Sequence, residues 1–313
     1  MTDNCALALK IDVDTLKGYR EGLPRLLDML KRRGIRASIF FSMGPDNSGK
    51  AVRRIFRRGF VSKMLRTRAP STYGLKTLLY GTLLPAPMIV ESDPGLLRRA
   101  VDEGHDCGVH AWDHVFWQDR LPSLSREAVR EQFARSMELF ERVSGTAPAC
   151  CAAPGWQTTP DALAVQDELG FAYCSDVRGT GPSLPRVFLP RMGGTTFRTP
   201  QIPSTLPTLD ELWGTDGLDA DTVNDRYLDL LEPGVNVHTI HTEMEGGAMS
   251  GVFEALLDAC LEGEMAFMTL REVLAGAAAT VDDGAAPLPV SEVVMREIPG
   301  RAGTLAVQQA AEG

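Results

Sequence analysis

The sequence offers no segment able to cross a bilayer: nowhere in its 313 residues do about eighteen apolar residues run together. Met1-Thr2-Asp3-Asn4 carries neither a basic stretch nor an apolar one, so no secretory leader is expected. No Cys-x-x-Cys occurs. The six cysteines (Cys5, Cys107, Cys150, Cys151, Cys174, Cys260) lie mostly in strand-like runs, which points to reduced, buried thiols in a cytoplasmic protein. No internal repeat stands out. With a net charge of −9 the chain is not built to bind nucleic acid. Acidic residues are themselves missing from one interval: none falls between Asp46 and Glu91, while Lys50, Arg53, Arg54, Arg57, Arg58, Lys63, Arg66, Arg68 and Lys76 do. Histidine is scarce as well, at five: His105, His110, His114, His238 and His241.

What remains is the composition of an ordinary globular enzyme, 44% hydrophobic and 23% charged, long enough for one large α/β domain or two small ones. Residues 6–11 alternate and end at Asp12, predicting a strand; residues 22–30 have helical spacing and run to Gly34, a helix stop; residues 37–41 predict a second strand. After the basic interval the alternation resumes. Helices are expected over 96–103, 126–143, 161–169, 218–231 and 251–262, with another starting at 270. Strands are expected over 106–109, 149–153, 171–174, 236–241 and 265–268. About seven strands in alternation with helices argue for a parallel barrel or open sheet in a single domain over 1–275. Residues 197–209 read as extended and loop-like, and 276–313 as a patternless Ala/Gly-rich tail draped over the surface.

Polar residues gather at four strand ends: Asp12/Asp14, His110/His114, Ser175/Asp176/Arg178 and His238/His241. The C-terminal ends of parallel strands are where α/β folds bind ligands. Two histidines four apart, taken alone, are as readily gap-filling side chains as ligands. With a carboxylate at a neighbouring strand end they make a three-ligand set that leaves a position open on zinc or a similar divalent ion. Such an ion acidifies water and polarises a carbonyl, and amide hydrolysis further needs a proton donor for the departing amine.

Asp12-Val13-Asp14, His110-Ala111-Trp112-Asp113-His114 and Ile240-His241 resemble the motifs of the NodB-like polysaccharide deacetylase family. More narrowly, residues 11–15, 38–47, 109–114, 201–208 and 239–246 are similar to bacterial deformylases that act on undecaprenyl-phosphate-linked 4-deoxy-4-formamido-L-arabinose during lipid A modification. The resemblance spans about residues 6–275, with a faint echo at Gln308-Gln309. It implies a distorted (β/α) barrel of about seven parallel strands with a basic helical insert after strand two. It also implies a divalent metal (zinc, cobalt, manganese or iron) on Asp14, His110 and His114, with Asp12 as general base and His241 as general acid. A looser match makes Asp176 the residue that orients His241.

The chain departs from the family at one place. The family's Arg-x-Pro motif, whose arginine holds the catalytic aspartate, is here Ala152-Ala153-Pro154. Arg178 either fills that role from the neighbouring strand end or makes a surface ion pair. Trp156 and Trp112 line the sugar pocket or pack the barrel mouth, and packing is favoured for Trp112. Glu243 and Glu245 are candidates to bind the sugar's amine.

The interval 44–95 has two readings, a solvated helical hairpin or a basic amphipathic patch that lies on an anionic membrane; nine cations without an anion favour the second and bring Arg54 and Arg57 forward as phosphate contacts. The expected enzyme is thus a peripheral deformylase at the inner face of the bacterial inner membrane. The alternatives are a deacetylase of another N-acylated sugar and a catalytically silent polyprenyl-phosphate-binding protein. Retention of Asp12 and His241 speaks against silence.

Overall fold

Along the first strand, β1 (Cys5–Val13), side chains alternate between two different interiors. Leu7, Leu9, Ile11 and Val13 join the large apolar layer between sheet and helices, while Ala8 faces the inside of the sheet's curve with Phe40, Cys150, Ala152, Tyr173 and Val237. A strand buried on both faces belongs inside a parallel sheet with neighbours on both edges, and β1 has parallel strands paired to it on each side. The computed structural model describes residues 5–51, 76–179, 181, 184, 186–282 and 287–310.

The strands that follow are β2 (Ser38–Ser42), β3 (Asp106–Ala111), β4 (Cys150–Cys151), β5 (Tyr173–Cys174), β6 (Leu189–Met192), β7 (Thr195–Thr196), β8 (Gly234–His241), β9 (Ala266–Met268), β10 (Val290–Glu297) and β11 (Thr304–Ala310). Seven of them form one all-parallel sheet in the order β5-β4-β3-β2-β1-β8, with β9 also on β1. β8 pairs with β1 over residues 5–12, so β9 (at 6–8) and β2 (at 10–13) share the other edge. The expected distorted (β/α) barrel is therefore what the chain forms. Its helices are α1 (Leu23–Arg32), α2 (Pro94–Asp102), α3 (His114–Arg120), α4 (Arg126–Ser144), α5 (Pro160–Leu169), α6 (Leu209–Leu212), α7 (Val223–Asp229), α8 (Ser250–Glu262) and α9 (Leu270–Asp282). The N-terminal end of the barrel is closed by Asp106, which takes two bonds from Arg271 (2.7 and 2.9 Å) and others from Ser38 and the Tyr173 hydroxyl.

Two expectations are corrected, and one feature was not expected. The helix expected over 218–231 is only Val223–Asp229, because Asp219 Oδ1 captures the amide of Asp221 and the hydroxyl of Thr222 and holds a turn there. Single turns of π-helix, Gly18–Gly22 and Met244–Ala248, were not foreseen. The tail is not patternless: β10 and β11 form a hairpin whose first strand pairs with β6, giving a second, four-stranded sheet. Of the basic interval, residues 52–75, with Arg54 and Arg57, lie outside the described residues. Its flanks are tied together by Asp46 N to Pro87 O (2.8 Å) and Gly49 N to Tyr80 O (3.0 Å).

Candidate metal and catalytic site

β1 ends at Val13, and Asp14 follows where the backbone leaves the sheet. Across β2, the third strand carries a bulge: Phe41 pairs with Val109 but Ser42 with Ala111, so His110 is the extra residue. A bulge re-aims its side chain, here toward Asp14. Asp113 then caps α3 by accepting the Phe116 amide (2.9 Å) and is steadied by Asn47 (2.6 Å), which places His114 at the helix start. The result is a cluster: His110 Nε2 is 3.3 Å from Asp14 Oδ1 and His114 Nε2 is 3.4 Å from Asp14 Oδ2.

These spacings suit ligands better than hydrogen bonds. Asp14 Oδ1 and His110 Nδ1 are buried without a hydrogen bond among the described residues. Two ligand atoms each about 2.1 Å from a tetrahedral ion stand about 3.4 Å apart. One carboxylate and two imidazoles are also a suitable donor set for a borderline divalent metal, so the residues fit one. The charges agree: burial disfavours an ionised Asp14, yet His114 and then His110 hold it well below the usual carboxylate range. Burial likewise disfavours a charged His110, but Asp12 and Asp14 outweigh it and push its pKa up.

The strand register sets Asp12 beside His241 on β8. Asp12 is buried, and its Oδ1 has no hydrogen-bond partner among the described residues. The His241 amide donates to Glu245 Oε2 (2.8 Å), and burial pushes Glu245 up to about 8. Glu243 Oε1 accepts from the amide (2.8 Å) and hydroxyl (2.6 Å) of Thr15, next to Asp14, and burial with the Asp14 charge raises its pKa too. Gly18 leaves the room this carboxylate occupies: a Cβ there would lie 2.1 Å from Glu243 Oε1 and 2.4 Å from Thr242 Oγ1, so those side chains would have to shift. Glu243 also lines a cavity of about 240 Å³ with Lys17 and Arg25. Asp46 supports the loop from beneath by accepting the Leu16 amide (2.9 Å).

Other expected site residues lie elsewhere. Asp176 does not orient His241: it is sealed beside Cys151 and Cys174 and accepts from Gln166 (2.6 Å) and Gln201 (3.2 Å). Arg178 pairs with Glu211 rather than with Asp12. It is buried against Glu211 (2.7 Å), donates to Leu206 O, and stacks over Trp156 at 4.8 Å, because a guanidinium inside a protein needs a carboxylate and β11 covers its strand end. Trp156 is 2% exposed and donates to Ser204 Oγ (3.0 Å), so it packs rather than lines a pocket. Trp112 packs against Gly44, under Arg135. One residue was missed altogether: the buried Lys10 Nζ, 3.5 Å from Asp12 Oδ2.

Residues 11–174 match the family model described as polysaccharide deacetylase. The chain is 38% identical, over 96% of its length and 94% of the relative's, to the probable 4-deoxy-4-formamido-L-arabinose-phosphoundecaprenol deformylase ArnD of Shewanella sediminis. It is 29% identical to the protein of the same name from Wigglesworthia glossinidia brevipalpis, over 93% and 98% of the two chains. Among solved structures, a Mycobacterium smegmatis protein assigned to the polysaccharide deacetylases superposes with a TM-score of 0.59 at 14% identity, covering 95% and 96% of the two chains. The peptidoglycan deacetylase PdaC of Bacillus subtilis does so at 0.51 and 13%, covering 90% and 96%. These two likenesses are of fold.

Proposed function

This chain belongs to the polysaccharide deacetylase family, and we propose that within it the chain hydrolyses the formamide of undecaprenyl-phosphate-linked 4-deoxy-4-formamido-L-arabinose, giving formate and the 4-amino sugar lipid. The observation that carries the reading is the pairing of Asp12 with His241 on adjacent strands beside the Asp14/His110/His114 cluster. Asp14, His110 and His114 would hold a divalent metal, which when bound supplies an acidified water and a polarised carbonyl. Asp12, whose Oδ1 has no hydrogen-bond partner among the described residues, takes a proton from the attacking water as the water oxygen adds to the formyl carbon. His241 gives a proton to the sugar nitrogen as the C–N bond breaks and formate departs. Its backbone, fixed by Glu245, holds the imidazole at the strand end. Glu243, at the wall of the neighbouring cavity, faces the sugar.

The substrate's tail stays in the bilayer, so the enzyme must work at the surface. No helix among the described residues is long and apolar enough to cross a membrane. The cations between Asp46 and Glu91, an interval of sequence without an acidic residue and with Arg54 and Arg57 among them, supply attraction to an anionic leaflet and contacts for the phosphate. Leu83, later in the same interval of sequence, is 81% exposed, in keeping with a face that dips into lipid. The site of action in this reading is the inner face of the bacterial inner membrane. Incubating purified, metal-loaded protein with the lipid-linked formamido sugar and following the lipid by mass spectrometry tests the function: the formyl group is lost with release of formate. An intact lipid would reject it.

A further inference from the structure

We infer that Lys10 is the positioning residue that holds Asp12 for proton transfer, an inference that rests on the reading of Asp12 as the general base. Lys10 stands two residues before Asp12 on β1, so the two side chains share the face turned to the barrel interior. Its side chain is wholly buried and that of Asp12 nearly so. A buried ammonium persists only where charge and hydrogen bonding answer it. Lys10 Nζ donates to Ser175 O (2.9 Å) and lies near the rings of Trp156 (5.3 Å) and Phe40 (5.8 Å); the buried Asp176 feels its charge, but the carboxylate in ion-pair contact is Asp12, at 3.5 Å from Oδ2. That distance is an ion pair rather than a hydrogen bond. The ammonium therefore attracts one oxygen of Asp12 and leaves Oδ1, which has no partner among the described residues, turned free.

The surroundings fix the ammonium in turn. Trp156 sits at φ +52°, a backbone state that a bulky residue adopts only when its neighbours impose it. Its indole nitrogen is bonded to Ser204, whose hydroxyl is 2.7 Å from that of Thr239 on β8, and the guanidinium of Arg301 from the C-terminal hairpin stacks on the ring at 4.6 Å. Ala152-Ala153-Pro154, at the end of β4, offers no cation that could do the work of Lys10.

The test compares Lys10→Met, Lys10→Gln, Lys10→Arg and Asp12→Asn as full-length, metal-loaded proteins, measuring formate release, bound metal and Tm. Lys10→Met and Lys10→Gln should lower kcat about a hundredfold, the scale of a misplaced reacting group, with KM and metal content unchanged. Lys10→Arg should recover at least about tenfold over Lys10→Gln, because it restores the charge. Should Lys10→Met fail to fold, Gln and Arg decide the matter between them. Wild-type kcat in Lys10→Gln beside a slow Asp12→Asn overturns the role of Lys10 alone, as does a folded, metal-loaded Lys10→Arg no faster than Lys10→Gln. Wild-type kcat in Asp12→Asn overturns the assignment of the base, and this inference with it.

Discussion

Arg178 and Glu211 hold each other through two contacts, Nη1 to Oε1 at 2.7 Å and Nη2 to Oε2 at 3.2 Å, where both side chains are nearly sealed from water. Arg301 reaches the same carboxylate from the C-terminal hairpin (2.6 Å). Removing one partner of a buried pair leaves the other uncompensated, but here Arg301 remains, so Arg178→Met should cost about 3 kcal/mol, the low end of the usual range. Because the Arg178 guanidinium is engaged by Glu211 and buried with it, KM should not change. Denaturant titration and steady-state kinetics check both parts; a raised KM at wild-type stability would return Arg178 to the substrate site.

The metal cluster and the acid–base pair should separate cleanly on mutation. His114→Ala should lose bound metal and activity together, since the set then drops to two ligands. Asp12→Asn should keep the metal and lose rate by at least about a hundredfold. Elemental analysis distinguishes them; full metal content in His114→Ala, or its loss in Asp12→Asn with retention in Asp14→Asn, would reassign the residues.

Much of this site was legible because its residues are local. Asp12, Asp14, His110 and His114 announce themselves at strand ends, and the strand rhythm places His241 at the end of β8. Lys10 was not legible in that way: it looks like one polar residue in an apolar run, although its sharing a strand face with Asp12 was a readable signal. The partner of Arg178 lies thirty-three residues away, a contact that only the fold supplies. The C-terminal hairpin hid behind Ala/Gly-rich residues, yet Pro299-Gly300 between two β-branched runs marks its turn. The π turns leave no period of their own in the sequence.

For the basic interval, reversing Arg53, Arg54, Arg57 and Arg58 to Glu should abolish salt-sensitive binding to anionic liposomes, each cation near such a surface being worth about 1 kcal/mol. Turnover of a short-tailed, water-soluble substrate should survive if its phosphate does not rely on those arginines. Undiminished co-sedimentation with liposomes would make the interval a solvated hairpin.

His238 gives the fold an acid-sensitive contribution. Burial, then His241 and Arg178, push its pKa down from 6.5 to about 3. Below about pH 6.5 the unfolded chain takes up a proton that the folded one refuses, so stability is lost as pH falls toward the folded value. Between pH 6.5 and about 4 this group alone should account for about 3 kcal/mol. His238→Gln should flatten the stability profile over that window; an unchanged slope in urea titrations would show that His238 is charged in the folded state.

The central claim, that the chain is a deformylase of a lipid-linked amino sugar, is tested most directly by measuring kcat/KM for the formamido-arabinose lipid and for its N-acetyl analogue with one preparation of metal-loaded protein. One added methyl in a fitted pocket is worth about 1–3 kcal/mol, so the account predicts a formyl preference of at least about tenfold. Equal rates, a preference for acetyl, or no turnover of the formamide would contradict it.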